Sequence, residues 1–242
     1  MSAFPPLASL LTVSVLLVAS SGAEAQVKFS LGPRIGIQRT HQSSYFPNSV
    51  LGDIEHTPYR HGFQAGIIGV VQFVHLAIQP ALLFSQKGYH HTQYIYSSYW
   101  KVHVHGSTKQ NLNYLELPVN FVFSTGKDDG FQVLLGGYAA AGIGGRFRQK
   151  SYAEEGPINE YAGYVEGSRI SRNPFGEGAQ RYDFGVNGGL GYKYKHLQMQ
   201  IIYGLGLLNV EHQASSTPYG PSTGPRNRSL QLTTAYMLPF LQ

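Results

Sequence analysis

Cysteine is absent from the 242 residues. No disulfide can staple the fold, and no cysteine follows the N-terminal leader to carry a lipoprotein lipid. Charge is scarce: Asp, Glu, Lys and Arg make up 13% of the chain, against about 25% in ordinary soluble domains. Beyond the N-terminus no apolar run approaches the roughly 20 residues that a membrane-crossing helix needs. The net charge is +5, yet the basic residues are scattered rather than gathered on one face with aromatics between them, which argues against a nucleic-acid partner.

What the sequence has instead is glycine and aromatic residues, 29 of the former and 13% of the latter. They are arranged with a period of two. From Tyr182, every second residue is Tyr182, Phe184, Val186, Gly188, Leu190 and Tyr192. Asp183, Gly185, Asn187, Gly189, Gly191 and Lys193 lie between them. After Tyr194-Lys195-His196 the pattern resumes through Leu197, Met199, Ile201, Tyr203, Leu205 and Leu207, alternating with Gln198, Gln200, Ile202, Gly204 and Gly206. Successive side chains of a strand point to opposite faces, so this is a hairpin with one greasy face and one polar or very small face. Its strands exceed the usual 5–6 residues or so and match the roughly 9–11 of a tilted strand that crosses a bilayer.

The same alternation predicts eight strands. The outward sets begin with Val27 to Ile37, Phe63 to Val71, Leu76 to Phe84 and Leu115 to Phe123. They continue with Phe131 to Phe147, the hairpin above, and Leu230 to Phe240. Ile143 and Phe147 fall in the outward set of the fifth strand. Three connections are short (73–75, 125–130, 194–196) and four are long (40–60, 91–110, 149–180, 211–226). An even number of antiparallel strands with short turns at one end and long loops at the other is the outer-membrane pattern. The expected fold is therefore an all-β, eight-stranded, up-and-down transmembrane β-barrel over 26–242, with periplasmic turns and termini and extracellular loops. Pro80 and Pro118 are awkward inside strands and suggest bulges.

Residues 1–25 read as a cleaved signal peptide. Leu10 to Ala19 is an apolar run, and Ala23-Glu24-Ala25 is a small-x-small cleavage site before Gln26, although the first residues lack Lys and Arg. A soluble, lipocalin-like barrel would put grease inside and polar groups outside. Here the polar face is also the small one, which suits a narrow interior. Eight closed strands leave room only for side chains; Gly32, Gly36, Gly66, Gly136, Gly142, Gly144, Gly185, Gly189, Gly191, Gly204 and Gly206 would relieve crowding there. The strand-end aromatics Tyr192, Tyr203, Tyr236 and Phe240 fit an interfacial girdle.

Several stretches together resemble a known family: LAIQPALLFSQKGY (76–89), NYLELPVNFVF (113–123), LLGGYAAAGIGG (134–145), YDFGVNGGLGY (182–192) and YGLGLLNV (203–210). In order and spacing they are similar to the small outer-membrane β-barrels of Bacteroidetes, the PorT-like or porin-family barrels. The resemblance implies an eight-stranded outer-membrane barrel, usually without enzymatic activity. The family takes its name from a component of a secretion and gliding system.

The alternation also nominates a lumen charge network. Arg34, Lys87, Glu116, Arg146, Asp183 and Lys193 all fall on the inward face, with Lys28 at its edge, and unpaired charges there would be costly, so they should pair. A structural plug is the reading preferred over a proton or ion path or acid–base catalysis, since two carboxylates without a cleft do not make an active site. His103 and His105 share one side of an extended segment but lack a third metal ligand. Gly204-Leu-Gly206 and Gly142-Ile-Gly144-Gly145 precede no helix, which a phosphate-binding loop requires. No G-x-S-x-G nucleophile motif is present. No catalytic residue, cofactor or metal is assigned. The expected partners are outer-membrane lipid and lipopolysaccharide, with other outer-membrane proteins as further candidates. The acidic, Tyr-rich 151–169 segment is a surface loop. The expected role is structural or interactive. The alternatives are an accessory subunit of a secretion or assembly machine, or a small-solute pore, with a barrel enzyme last.

Overall fold

The computed structural model describes residues 27–43, 59–97, 102–154, 167–171, 180–209 and 226–241. Ten strands make one sheet: β1 (Lys28–Ser43), β2 (Arg60–Phe73), β3 (Leu76–Ser97), β4 (Val102–Ser124), β5 (Gly130–Glu154), β6 (Gly167–Ser171), β7 (Tyr182–Tyr194), β8 (Leu197–Asn209), β9 (Arg226–Tyr236) and β10 (Leu238–Leu241). Neighbours pair antiparallel in chain order, and β1 closes the sheet by pairing with both β9 and β10. β9 and β10 are one stave interrupted at Met237, and β6 pairs only with β5. The barrel thus has eight staves. Closure leaves no edge, so the backbone groups pair within the wall, as hydrocarbon surroundings require.

The side chains are inverted relative to a soluble protein. On the outside, Ile37, Leu135 and Leu190 are 66%, 69% and 63% exposed. Inside, Gln79, Asn120 and Asp183 are almost wholly buried. A lipocalin-like barrel would show the reverse. Among the described residues no helix is long and apolar enough to cross a membrane; the crossing is made by strands.

Phe73-Val74-His75-Leu76 and Tyr194-Lys195-His196-Leu197 form two-residue turns, with Val74 and Lys195 in the left-handed region. The 125–129 turn is tied by Lys28, whose Nζ lies 3.1 Å from Asp128. That hydrogen bond holds the Asp128 carboxyl below its usual range. Both ends of the sheet's path, the start of β1 and the end of β10, lie at this turn end.

Four expectations change. The 91–110 connection is largely ladder: β3 and β4 pair from Tyr89↔Gln110 to Ser97↔Val102. Part of 149–180 is likewise strand, with β6 laid along the end of β5. The prolines make no bulge. The β2–β3 ladder skips two pairs beside Pro80 and the β3–β4 ladder skips two beside Pro118, and each resumes in the same register. The missing N–H costs a ladder bond without shifting the strand. The bulge that matters lies elsewhere: Tyr114 pairs with Gly142 and Asn113 with Gly144, leaving Ile143 as an extra residue in β5. Beyond it every β5 side chain changes face. Phe147 is buried inside, whereas Arg146 is exposed outside, the opposite of the expected placement for both. Gly144 now faces open space, with nothing within 4 Å of a would-be Cβ, so it relieves no crowding.

The face assignment has a direct test. Ile201 is exposed to the outside and Gln200 is buried in the lumen. Ile201→Arg should cost about 2–4 kcal/mol when the barrel is unfolded by denaturant from lipid vesicles. Gln200→Glu, which keeps the shape, should cost less. Equal losses would contradict the placement.

Candidate functional site

A polar cluster is built in the lumen from six staves. Lys87 on β3 is at its centre. Its Nζ lies 2.8 Å from Glu116 on the neighbouring β4 and 3.3 Å from Asp183 Oδ2 on β7. Asp183 Oδ2 also accepts from the Tyr138 hydroxyl on β5 at 3.2 Å and from Asn227 Nδ2 on β9 at 2.9 Å. The ammonium sits 4.2 Å from the centre of the Tyr138 ring and 5.6 Å from that of Tyr114, a cation–π arrangement in a desolvated place. Arg34 on β1 is buried and interacts electrostatically with Glu116. Two cations therefore face two carboxylates, and the cluster is neutral as a whole.

Local sequence explains the packing. Tyr138 on β5 stands opposite Gly185 on β7. A Cβ at Gly185 would come 2.4 Å from the Tyr138 ring, so the missing side chain is what lets the ring lie across its neighbour and reach Asp183. Gly136 does the same for Asn120: a Cβ there would meet Asn120 Oδ1 at 2.4 Å. Nearer the turns a second layer is made of amides. Gln79 and Gln198 exchange hydrogen bonds at 3.3 and 3.0 Å. Gln200 donates to Gln79 at 3.2 Å and to Gln132 at 3.4 Å, and Gln132 donates to Ser124 at 3.1 Å. An apolar cluster that includes Ile68, Leu83, Val122 and Ile202 fills further interior space.

Of the six residues nominated from the sequence, Arg34, Lys87, Glu116 and Asp183 come together. Lys193 is separate: it lies at the turn end and donates to Gln72 at 2.9 Å. Arg146 is on the outer wall, for the reason given by the Ile143 bulge. Sequence reasoning missed Tyr114 and Asn227. Tyr114 shares its face with Glu116 two residues on, so the alternation itself could have found it; Asn227 lay between the loop read as 211–226 and the predicted last strand, whose outward set begins at Leu230. The side chains of His103 and His105 lie outside the described residues. Among the described residues no three His, Asp or Glu side chains gather as metal ligands.

The arrangement provides electrostatic cross-bracing between staves. Lys87 is held by two carboxylates and two rings.

A closed eight-stave sheet with a polar, filled interior and an apolar outer belt defines an integral transmembrane β-barrel. The chain belongs to the outer membrane protein beta-barrel domain family, which matches residues 24–211. No curated protein matches it in sequence. Among solved structures it is similar to the attachment invasion locus protein Ail of Yersinia pestis, in complex with the heparin analogue sucrose octasulfate. That likeness has 11% identity and a TM-score of 0.40 over 87% of this chain and 99% of that one. Neisserial surface protein A is similar at 12% identity and a TM-score of 0.40, over 85% of this chain and 96% of that one. The translocator domain of the autotransporter NalP from Neisseria meningitidis gives 10% and 0.27 over 95% of each chain.

Removing Lys87 leaves two buried carboxylates facing one guanidinium. Lys87→Met should destabilise the barrel by about 3–5 kcal/mol. Adding Asp183→Asn to it restores neutrality and should recover part of that loss, as a double-mutant cycle in denaturant would show. Strict additivity of the two changes would mean that the pair does not interact.

Proposed function

We propose that this outer-membrane barrel is a non-enzymatic structural or interaction protein whose lumen is a plug and not a conduit. The observation that carries the reading is the Lys87–Glu116–Asp183 cluster: it links staves that are not neighbours and so crosses the interior. The amide layer around Gln79 blocks a second level. Eight strands leave a bore that side chains can fill, whereas open porins use about 16–18. The lipid-exposed belt and family membership support an outer-membrane location. The turn end, where both ends of the sheet lie, is assigned to the periplasm, and the long connections to the outside. Residues 1–25 are assigned to a cleaved signal peptide. Membership among the PorT-like barrels of Bacteroidetes is proposed on the stretches 76–89, 113–123, 134–145, 182–192 and 203–210. Outer-membrane lipid is the proposed surrounding partner.

Two measurements test this. In planar bilayers the purified monomer should give no steady porin-sized conductance; large, stable, voltage-independent channels would make a solute pore the better reading. Intact-mass analysis of membrane-extracted protein should show a chain that starts at Gln26 or its cyclised form. Retention of Met1 would overturn the signal-peptide assignment. A role as subunit of a larger machine differs from a free barrel in stable co-purification from native membrane.

A further inference from the structure

The Ile143 bulge has a second effect: it turns a run of cations outward. Past it, Arg146, Arg148 and Lys150 are exposed on the outer wall, alternating with buried Phe147. The register sets Arg148 directly opposite Lys109 on β4, which is also exposed, and Arg146 opposite Asn111. Like charges directly across a ladder destabilise it. Among the residues whose side chains are described no carboxylate lies beside them: Glu116 and Asp183 are inside the barrel, and Asp128 and Asp129 are in a turn at the other end.

Height decides what this patch meets. A strand tilted by about 40° climbs roughly 2.5 Å per residue. The outward face of β5 from Phe131 to Ile143 therefore accounts for about 30 Å, slightly more than the apolar band of about 25 Å. Arg146 and Arg148 follow at once, at the level of lipid headgroups. On the opposite wall the same transition occurs: on β1, Ile35 and Ile37 are followed by Arg39, and on β9, Leu232 and Leu230 give way to Arg228. Arg39 is braced 3.9 Å from the centre of the Tyr59 ring, at a groove that Arg228 also lines.

We propose that Lys109, Arg146 and Arg148 form a binding site for the phosphate groups of an anionic glycolipid in the leaflet at the loop end. Lys109 and Arg148 stand about 5 Å apart across the ladder, and Arg146 is two residues along. This is close enough for a phosphate to contact more than one of them, and guanidinium groups bind phosphate through paired hydrogen bonds. The anion removes the like-charge repulsion that the bare ladder would carry. The assignment rests on the outer-membrane reading above. Failure of the protein to insert into bilayers would sink both, whereas an inserted barrel with no lipid preference would sink this one alone.

The test is native mass spectrometry of the full chain, offered bisphosphorylated lipid A and its dephosphorylated form at equal concentration. The phosphorylated lipid should be retained at least about tenfold better. Lys109→Gln, Arg146→Gln and Arg148→Gln together should abolish that preference. Arg146→Lys with Arg148→Lys should keep most of it, which separates lost charge from lost fold. Equal retention of the two lipids, or an unchanged preference in the glutamine variant, overturns the proposal. Displacement by millimolar inorganic phosphate would point to a free-anion site and overturn the lipid assignment. The chain's own acidic segment is the remaining competitor. If replacing Glu154, Glu155, Glu160 and Glu166 by Gln is needed before any lipid binds, that segment covers the patch and the proposal fails.

Discussion

The ladder that joins β1 to β9 and β10 turns a sheet into a tube, and most other features follow from that closure. An open sheet in hydrocarbon would present two rows of unpaired N–H and C=O groups, each costing several kcal/mol. Closing it removes that cost but creates an interior with a fixed and small cross-section. Eight staves give a space too narrow for a water column of porin width and too polar to leave dry and unpaired. Glycine where rings cross, amides that bond to amides, and cations that meet carboxylates are three answers to one geometric restriction.

Those answers are graded along the tube. Near the turns the filling is amide and aliphatic: Gln79, Gln132, Gln198 and Gln200 satisfy one another, with Ile68, Leu83, Val122 and Ile202 beside them. Neutral groups of this kind carry a modest penalty when a bond is imperfect. Lys87, Glu116 and Asp183 are different, because each would be strongly disfavoured alone in that place. Tyr138 contributes twice, through its hydroxyl to Asp183 and through its ring face to Lys87. Its position depends on Gly185, so one of the glycines that break the apolar pattern of the chain is part of the electrostatic design.

Much of this was legible in the sequence, since a period of two fixes both the strands and their faces once one face is recognised. Arg34, Lys87, Glu116 and Asp183 were all found by parity alone. Parity fails where a strand gains a residue, and nothing in AGIGGRFRQ marks Ile143 as the extra one. The three glycines around it, Gly142, Gly144 and Gly145, make several positions equally suitable for a bulge. Arg146 and Phe147 were consequently exchanged between inside and outside. The extended β3–β4 hairpin was missed for another reason. His, Thr, Gln and Ser make up half of 90–111, and that polar composition reads as a loop although the ladder continues through it. Asn227 lay just outside the predicted last strand and could not be recognised as a partner of Asp183.

The neutral cluster draws its members from staves that are far apart in the chain: Lys87 and Asp183 are separated by 96 residues, and Asp183 and Asn227 by 44. None of these bonds can form within a single hairpin. A hairpin of β3 and β4 entering the bilayer alone would carry Lys87 and Glu116 without Asp183, and a hairpin of β7 and β8 would carry Asp183 without Lys87, its cation partner. Desolvating those pieces separately is unfavourable, so stepwise entry of hairpins is disfavoured relative to concerted entry of a nearly complete cylinder. The charges thereby act on the order of assembly: they tie insertion to completion of the circle, and a chain truncated before its last stave forfeits Asn227, one of the hydrogen-bond partners of the buried Asp183.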